Sequence, residues 1–179
     1  NALGRVYLRL DKLSLAESCF EDVLKSDTDN IDARKQLGIL AYRRKDWLRA
    51  EKYLRGVLAI DPRGVETRFY VGMIEINKKR LDKAVEHFTE LRTYVSNDAR
   101  VYYGLGLTYS LKGNTREAIK ALTRAVELDE KYTEAHWELG KLYESIDYGE
   151  LAYQEFERVL QLDPGHALKE VIEEKLRDL

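Results

Sequence analysis

Three histidines, one cysteine and many carboxylates are the side chains of this chain that could carry chemistry. The histidines are His87, His136 and His166, and no two stand at metal-pair spacing. There is no Cys-x-x-Cys either, so a zinc-type ligand set is missing. Cys19 adjoins Phe20 with no histidine near it in sequence, which reads as a packed thiol rather than a nucleophile. Gly104 and Gly106 follow no strand and therefore do not form a phosphate-binding loop. The carboxylates fall on solvated helix faces. The expectation is a chain that is not an enzyme and that uses no cofactor and no metal.

Charge narrows the partners. The chain has 30 basic and 32 acidic residues in 179, a net charge of −2, which argues against nucleic acid. Residues 1–90 hold 18 basic and 15 acidic groups, while 91–179 hold 12 and 17, so the charge leans along the chain. The runs Arg43–Lys45 and Lys78–Arg80 fall at helix ends, where cations complement the dipole in solvated turns. No apolar run approaches 18 residues, so no membrane insertion is expected. One cysteine precludes an internal disulfide and favours a reducing compartment such as the cytoplasm. The chain opens on Asn1 within what already reads as helix, as an excised piece of a longer protein would.

The elements that position these residues repeat. At intervals of 34, glycine recurs as Gly4, Gly38, Gly72, Gly106 and Gly140, and alanine as Ala16, Ala50, Ala84, Ala118 and Ala152. Four residues beyond each alanine stand Phe20, Leu54, Phe88, Leu122 and Phe156. The glycines lie on the first helix of each unit and the alanines on the second, so two small residues let the backbones approach. A glycine inside a helix costs about 1 kcal/mol against alanine, and this packing offsets it for Gly106. Gly104 stands outside the column and has no such account. One hairpin cannot bury a stripe such as Ala16, Phe20, Val23 and Leu24, so neighbours must stack.

These columns resemble the tetratricopeptide repeat family. Leu139-Gly140, Tyr143, Ala152, Phe156 and Pro164 give the fullest copy, and Leu105-Gly106, Tyr109 and Ala118 another. Leu3-Gly4, Tyr7, Ala16 and Phe20 give a copy with its opening cut off, and Leu37-Gly38, Ala50 and Pro62 a fourth. The third unit diverges, with Glu75 in the tyrosine slot and Val95-Ser96 in place of Asp-Pro. The resemblance implies an all-α, right-handed α-solenoid in one domain over 1–179. Its repeats would be 1–30 (truncated), 31–64, 65–98, 99–132 and 133–166, with a cap helix over 167–179. First helices are expected near 1–10, 31–44, 65–78, 99–112 and 133–146, and second helices near 13–26, 47–60, 81–95, 115–128 and 149–162. The cap would present Leu168, Val171, Ile172, Lys175, Leu176 and Leu179 along one face. His136 falls where the family often carries an aromatic, so packing is its expected role.

The resemblance also implies function: first helices line an inner groove where a protein or peptide partner lies. By helical phase that groove holds Arg9, Lys35, Ile39, Tyr42 and Arg43, then Phe69, Tyr70, Met73 and Ile76, then Tyr103 and Leu107, then Trp137 and Lys141. It would be basic at its start, aromatic in the middle and acidic toward its end. The competing reading is that the second apolar set packs between hairpins. The carboxylate clamp of chaperone adaptors is missing: the matching positions hold Lys35, Ile39, Tyr70, Arg100 and Gly104, or Asn1, Arg5, Gln36, Glu66 and Tyr70, or Phe69, Met73, Gly104, Glu134 and Glu138. Hsp70 and Hsp90 tails are therefore not expected partners. Other readings are self-association through the apolar edge of the truncated first hairpin (Leu3, Val6, Tyr7, Leu10), and a regulatory domain of a larger protein. Glu75 is expected to pair with Arg68 or Arg34, because a buried carboxylate without a partner is costly.

Overall fold

The structure is a computed structural model that describes residues 2–165, 167 and 169–178. The expectations placed on Asn1, His166, Leu168 and Leu179 lie outside the described residues. The described secondary structure is helical throughout: α1 (Ala2–Arg9), α2 (Leu13–Ser26), α3 (Ile31–Arg43), α4 (Trp47–Ile60), α5 (Val65–Asn77), α6 (Leu81–Tyr94), α7 (Ala99–Leu111), α8 (Thr115–Leu128), α9 (Thr133–Glu144), α10 (Gly149–Leu162) and α11 (Lys169–Asp178). Each lies where the 34-residue columns put it, with ends shifted by at most a few residues. The chain divides into two compact units, residues 1–87 and 88–179, with the boundary inside α6.

Local chemistry starts and stops these helices. The Asn30 side chain accepts from the Ala33 N–H (3.0 Å) and Asp46 from the Arg49 N–H (3.1 Å), each meeting a donor that the first turn leaves orphaned. Every first helix ends alike. Asp11, Lys45, Lys79, Gly113 and Asp147 all have positive φ, between 54° and 78°, and they too recur every 34 residues. The residue after each donates back to the carbonyl five before it, as Asp46 does to Ala41 (3.0 Å) and Asn114 to Tyr109 (2.9 Å). This left-handed cap reverses the chain into the second helix.

Within the first unit, α1 packs on α2, α2 on α3, α3 on α4 and α4 on α5. One core cluster gathers Ala16, Phe20, Ala33, Leu37 and Leu40, and another Ile39, Ala41, Ala50, Leu54, Val71 and Ile74. In the second unit α7 packs on α8, α8 on α9, α9 on α10 and α10 on α11. Its clusters centre on Ala118, Leu122, Ala125 and Leu139, and on Ala152, Phe156, Val159 and Ile172. The alanine column is fully buried in all five units.

The glycine column works differently from the expectation of two small residues meeting. A Cβ on Gly4, Gly38, Gly106 or Gly140 would strike Phe20, Leu54, Leu122 or Phe156, the large side chain sixteen residues on. The glycine makes room chiefly for a bulky side chain of its own hairpin, and at Gly106 also for backbone, since its Cβ would stand 3.2 Å from the Leu122 nitrogen. Gly104 obeys the same rule with another partner: its Cβ would collide with the Phe88 ring of α6, the helix before it. That contact explains a second glycine in α7.

At the C-terminal end Ile172 is fully buried against α10 and Leu176 half-buried, while Val171 is 42% exposed. The cap face therefore runs through Ile172, Lys175 and Leu176. Val171 leaves it, because one residue is a 100° step around a helix.

Candidate functional site

Four repeats share a hydrogen bond that spacing alone did not suggest. The fourth residue of α3, α5, α7 and α9 is Arg34, Arg68, Tyr102 and His136, and each reaches a carbonyl six residues upstream. Arg34 and Arg68 donate to the Thr28 and Pro62 carbonyls, and Tyr102 Oη donates to Ser96 O at 3.1 Å. His136 Nε2 meets Glu130 O at 3.2 Å, and its Nδ1 meets Glu155 Oε2 at 2.6 Å. His136 is thus a buried structural tie between α9, the preceding turn and α10. Three chemically different side chains perform one task, holding the turn that joins one hairpin to the next.

Glu75 is fully buried and does have cationic partners, but not those expected. Arg55 of α4 donates to its Oε1 at 2.6 Å, and Arg80, beyond the end of α5, forms an ion pair at Oε2 without hydrogen-bond alignment. Arg68 and Arg34 are occupied by the carbonyl ties. Arg55 (2.9 Å), Arg80 (2.8 Å) and Lys78 also converge on Glu51. Burial pushes the Glu51 carboxyl up, yet hydrogen bonds from Lys78, Arg80 and Arg55 outweigh it and hold the group at about 2. The run Lys78–Arg80 is therefore not simply a solvated turn: two of its three cations serve this network. Similarly, Arg44 is drawn to Glu17 of α2.

The expected groove residues separate by environment. Ile39 and Ile76 are only 7% exposed, and Ile39 belongs to a core cluster. These two are interior, as the competing reading held, because first helices of stacked hairpins have neighbours on more than one side. Tyr42, Tyr70 and Trp47, a residue of α4 that the first-helix reading passed over, edge the same core. Tyr42 makes edge-on contacts with Trp47 (5.4 Å) and Tyr70 (5.1 Å), and Tyr70 with Phe69 (5.6 Å). Burial, with Tyr70 beside it, pushes the Tyr42 phenol up. Met73 is half-buried on the same helix as Phe69 and Tyr70. Arg9 and Arg43 are exposed and form no ion pair among the described residues, whereas Lys35 bridges to Glu66 at 3.0 Å.

In the second unit Tyr103 and Leu107 are half-buried on α7. Tyr103 stacks at 5.0 Å on Tyr132, whose phenol is pushed up by burial and then by Tyr103. Trp137 rests on Phe156 at 5.3 Å beside the cluster that holds Ile172. Lys141 lies over the Trp137 ring and bonds Glu138 at 2.8 Å. Trp137 is therefore engaged with the C-terminal core. Among the described residues no group of three or more His, Cys, Asp or Glu is placed to hold a metal, and no helix is long and apolar enough to cross a membrane.

Tandem helical hairpins, with packing residues in every column and aromatics along the first helices, define an all-α helical-repeat protein. The chain belongs to the tetratricopeptide repeat family, whose models match residues 1–65, 35–99, 99–132 and 133–166. Members of this family are scaffolds for protein interaction. Superkiller protein 3 of Schizosaccharomyces pombe is 26% identical over 72% of this chain and 10% of its own length. The anaphase-promoting complex subunit CDC16 of Saccharomyces cerevisiae is 26% identical over 92% of the chain and 16% of its own length. The chain thus spans less than a fifth of either relative. PilF of Pseudomonas aeruginosa shares the fold, with a TM-score of 0.82, 20% identity, and coverage of 99% of this chain and 81% of that one.

Proposed function

We propose that the chain is a scaffold segment that holds a partner protein along its first helices, and that it carries out no reaction of its own. The observation carrying this is the set Phe69, Tyr70 and Met73 on α5, half-buried, with the exposed cations Arg9 and Arg43 in the same unit. Aromatic and Met side chains give contact area at low entropic cost or with adaptable packing. Exposed cations orient a partner and speed its encounter more than they tighten binding. Phe69 and Met73 are half-buried and one turn apart on α5, so they serve as the anchors; Tyr42 and Tyr70 frame them. In the second unit Leu107 and Tyr103 are the corresponding contacts, with Trp137 and Lys141 positioned by their own partners, as Lys35 is by Glu66 in the first.

The test is Phe69→Ala with Met73→Ala, measured for binding to the native partner protein. Affinity should fall more than about tenfold, since a few desolvated anchors dominate an interface. The melting profile should stay nearly unchanged. Unaltered affinity would remove this face as the binding site, and a large loss of stability would show the two side chains to be core.

A second reading is self-association, which the exposure of Leu3 (56%) and Val6 (48%) on α1 and of Leu10 (58%) just beyond it favours. Its measurement is sedimentation as a function of concentration.

A further inference from the structure

A cleft recurs at one register of the repeat, formed by two successive second helices with the first helix between them as its floor. It lies between α2 and α4 over α3 (about 390 Å³), between α6 and α8 over α7 (about 580 Å³), and between α8 and α10 over α9 (about 410 Å³). Equivalent positions line all three: Leu24, Arg92 and Val126; Arg34, Tyr102 and His136; Tyr53, Ala121 and Glu155. The largest differs at the last of these. Where its sisters carry Tyr53 and Glu155, it has Ala121. The missing bulk opens the floor: Leu105 and Tyr109 line this cleft, while Leu37 and Leu139, the counterparts of Leu105, do not line theirs.

The rim has its own chemistry. Arg124 is paired with Glu127 at 2.9 Å. Arg92 and Lys120 form no ion pair among the described residues, against one unpaired carboxylate, Glu117. The Tyr102 hydroxyl donates to the Ser96 carbonyl and has Arg124 beside it. The cleft thus has an apolar floor of Leu105, Tyr109 and Ala121 and a rim with a surplus cation. Its volume falls in the range of about 300–1,000 Å³ typical of ligand pockets. Tyr102, Leu105 and Tyr109 lie on the opposite side of α7 from Tyr103 and Leu107, because 100° per residue separates the two sets by nearly half a turn.

We propose that this cleft is a second docking site, separate from the first-helix face. Its occupant is an extended segment of a partner protein bearing one bulky apolar side chain with Asp or Glu beside it. The apolar side chain fills the space that Tyr53 and Glu155 fill in the sister repeats, and the carboxylate meets Arg92 and Lys120. The unit as a whole is acidic, but charges more than about 8 Å away are largely screened at physiological salt, so the rim decides the sign of the partner.

The test uses the whole chain and a labelled synthetic peptide with one tryptophan between Glu and Asp, followed by fluorescence anisotropy. Two control peptides carry Ala in place of Trp, or Lys in place of the acidic residues. The acidic Trp peptide should bind at least tenfold tighter than either control. Ala121→Tyr and Ala121→Glu, which install the sister residues, should each weaken it at least tenfold, as should Lys120→Glu. Phe69→Ala with Met73→Ala should leave it unchanged, which separates this site from the first-helix face. Equal affinity for the three peptides would overturn the proposal, as would binding that survives both Ala121 variants. Concentration-dependent sedimentation that Ala121→Tyr abolishes would assign the cleft to a second copy of the chain and overturn the partner-segment reading.

Discussion

Glu51 shows how one carboxylate can tie a helix pair together. It is mostly buried and collects three cations: Arg55 from its own helix, with Lys78 and Arg80 from the end of α5. Its carboxyl is held at about 2 against an ordinary 4.5. A carboxyl lowered in the folded state adds stability above its unfolded value, and that stability is lost as pH falls from about 4.5 through 2. The shift corresponds to a contribution on the order of 3 kcal/mol. Partial exposure of the arginines places the real figure below that. Glu51→Gln should therefore lower stability at pH 7 and flatten the pH dependence between 4.5 and 2, measured by urea melts of both proteins across that range. A variant as acid-sensitive as the parent would refute the role given to Glu51. Glu75 illustrates what sequence could and could not supply. That it needed a cation followed from burial of a charge in a slot held by Tyr7, Tyr109 and Tyr143 elsewhere. Which cation did not follow, since Arg55 and Arg80 come from a different helix and from a turn, while Arg68 and Arg34 have backbone acceptors of their own.

At the scale of the element, the hairpin turn combines a demanding geometry with poorly suited residues. The position after each first-helix C-cap adopts positive φ in all five units, yet only Gly113 is a glycine. A non-glycine residue there costs about 1–3 kcal/mol, and replacing it with glycine gives back about 0.4–1 kcal/mol through unfolded-chain entropy. Lys79→Gly should thus stabilise the chain by about 1 kcal/mol, seen as a higher urea midpoint with an unchanged slope. Lys79 is suited to this test because it forms no ion pair among the described residues, unlike its neighbours Lys78 and Arg80. A lower midpoint would show that the turn does not bear the strain assigned to it. Helix positions were readable because the columns repeat without insertion and proline or a capping residue marks many ends. Which apolar residues face inward was less readable. A first helix in stacked hairpins packs against its own second helix and against neighbours, so Ile39 and Ile76 carried the same phase signal as Phe69 and Met73. Gly104 needed Phe88, sixteen residues before it on the preceding hairpin, and no periodicity within α7 points there.

For the whole molecule, the open question is whether it works alone or seats a second copy. The two units differ in charge: residues 1–87 hold 18 basic and 14 acidic groups, and 88–179 hold 12 and 18, or +4 and −6. Opposite charge would draw unlike units of two chains together, but screening at physiological salt limits that pull to about 8 Å. The apolar edge itself is small. α1 has eight residues, so at 1.5 Å per residue it is about 12 Å long. A helix face of that length falls well short of the roughly 800 Å² per partner that a stable interface buries. The expected result is a sedimentation coefficient that does not change with concentration in the micromolar range at 0.15 M salt, and that is the same for Leu10→Glu. A dimer that persists at micromolar concentration and dissociates on Leu10→Glu would instead make the edge formed by α1 and the turn after it the working surface. It would put self-association ahead of partner binding along the first helices.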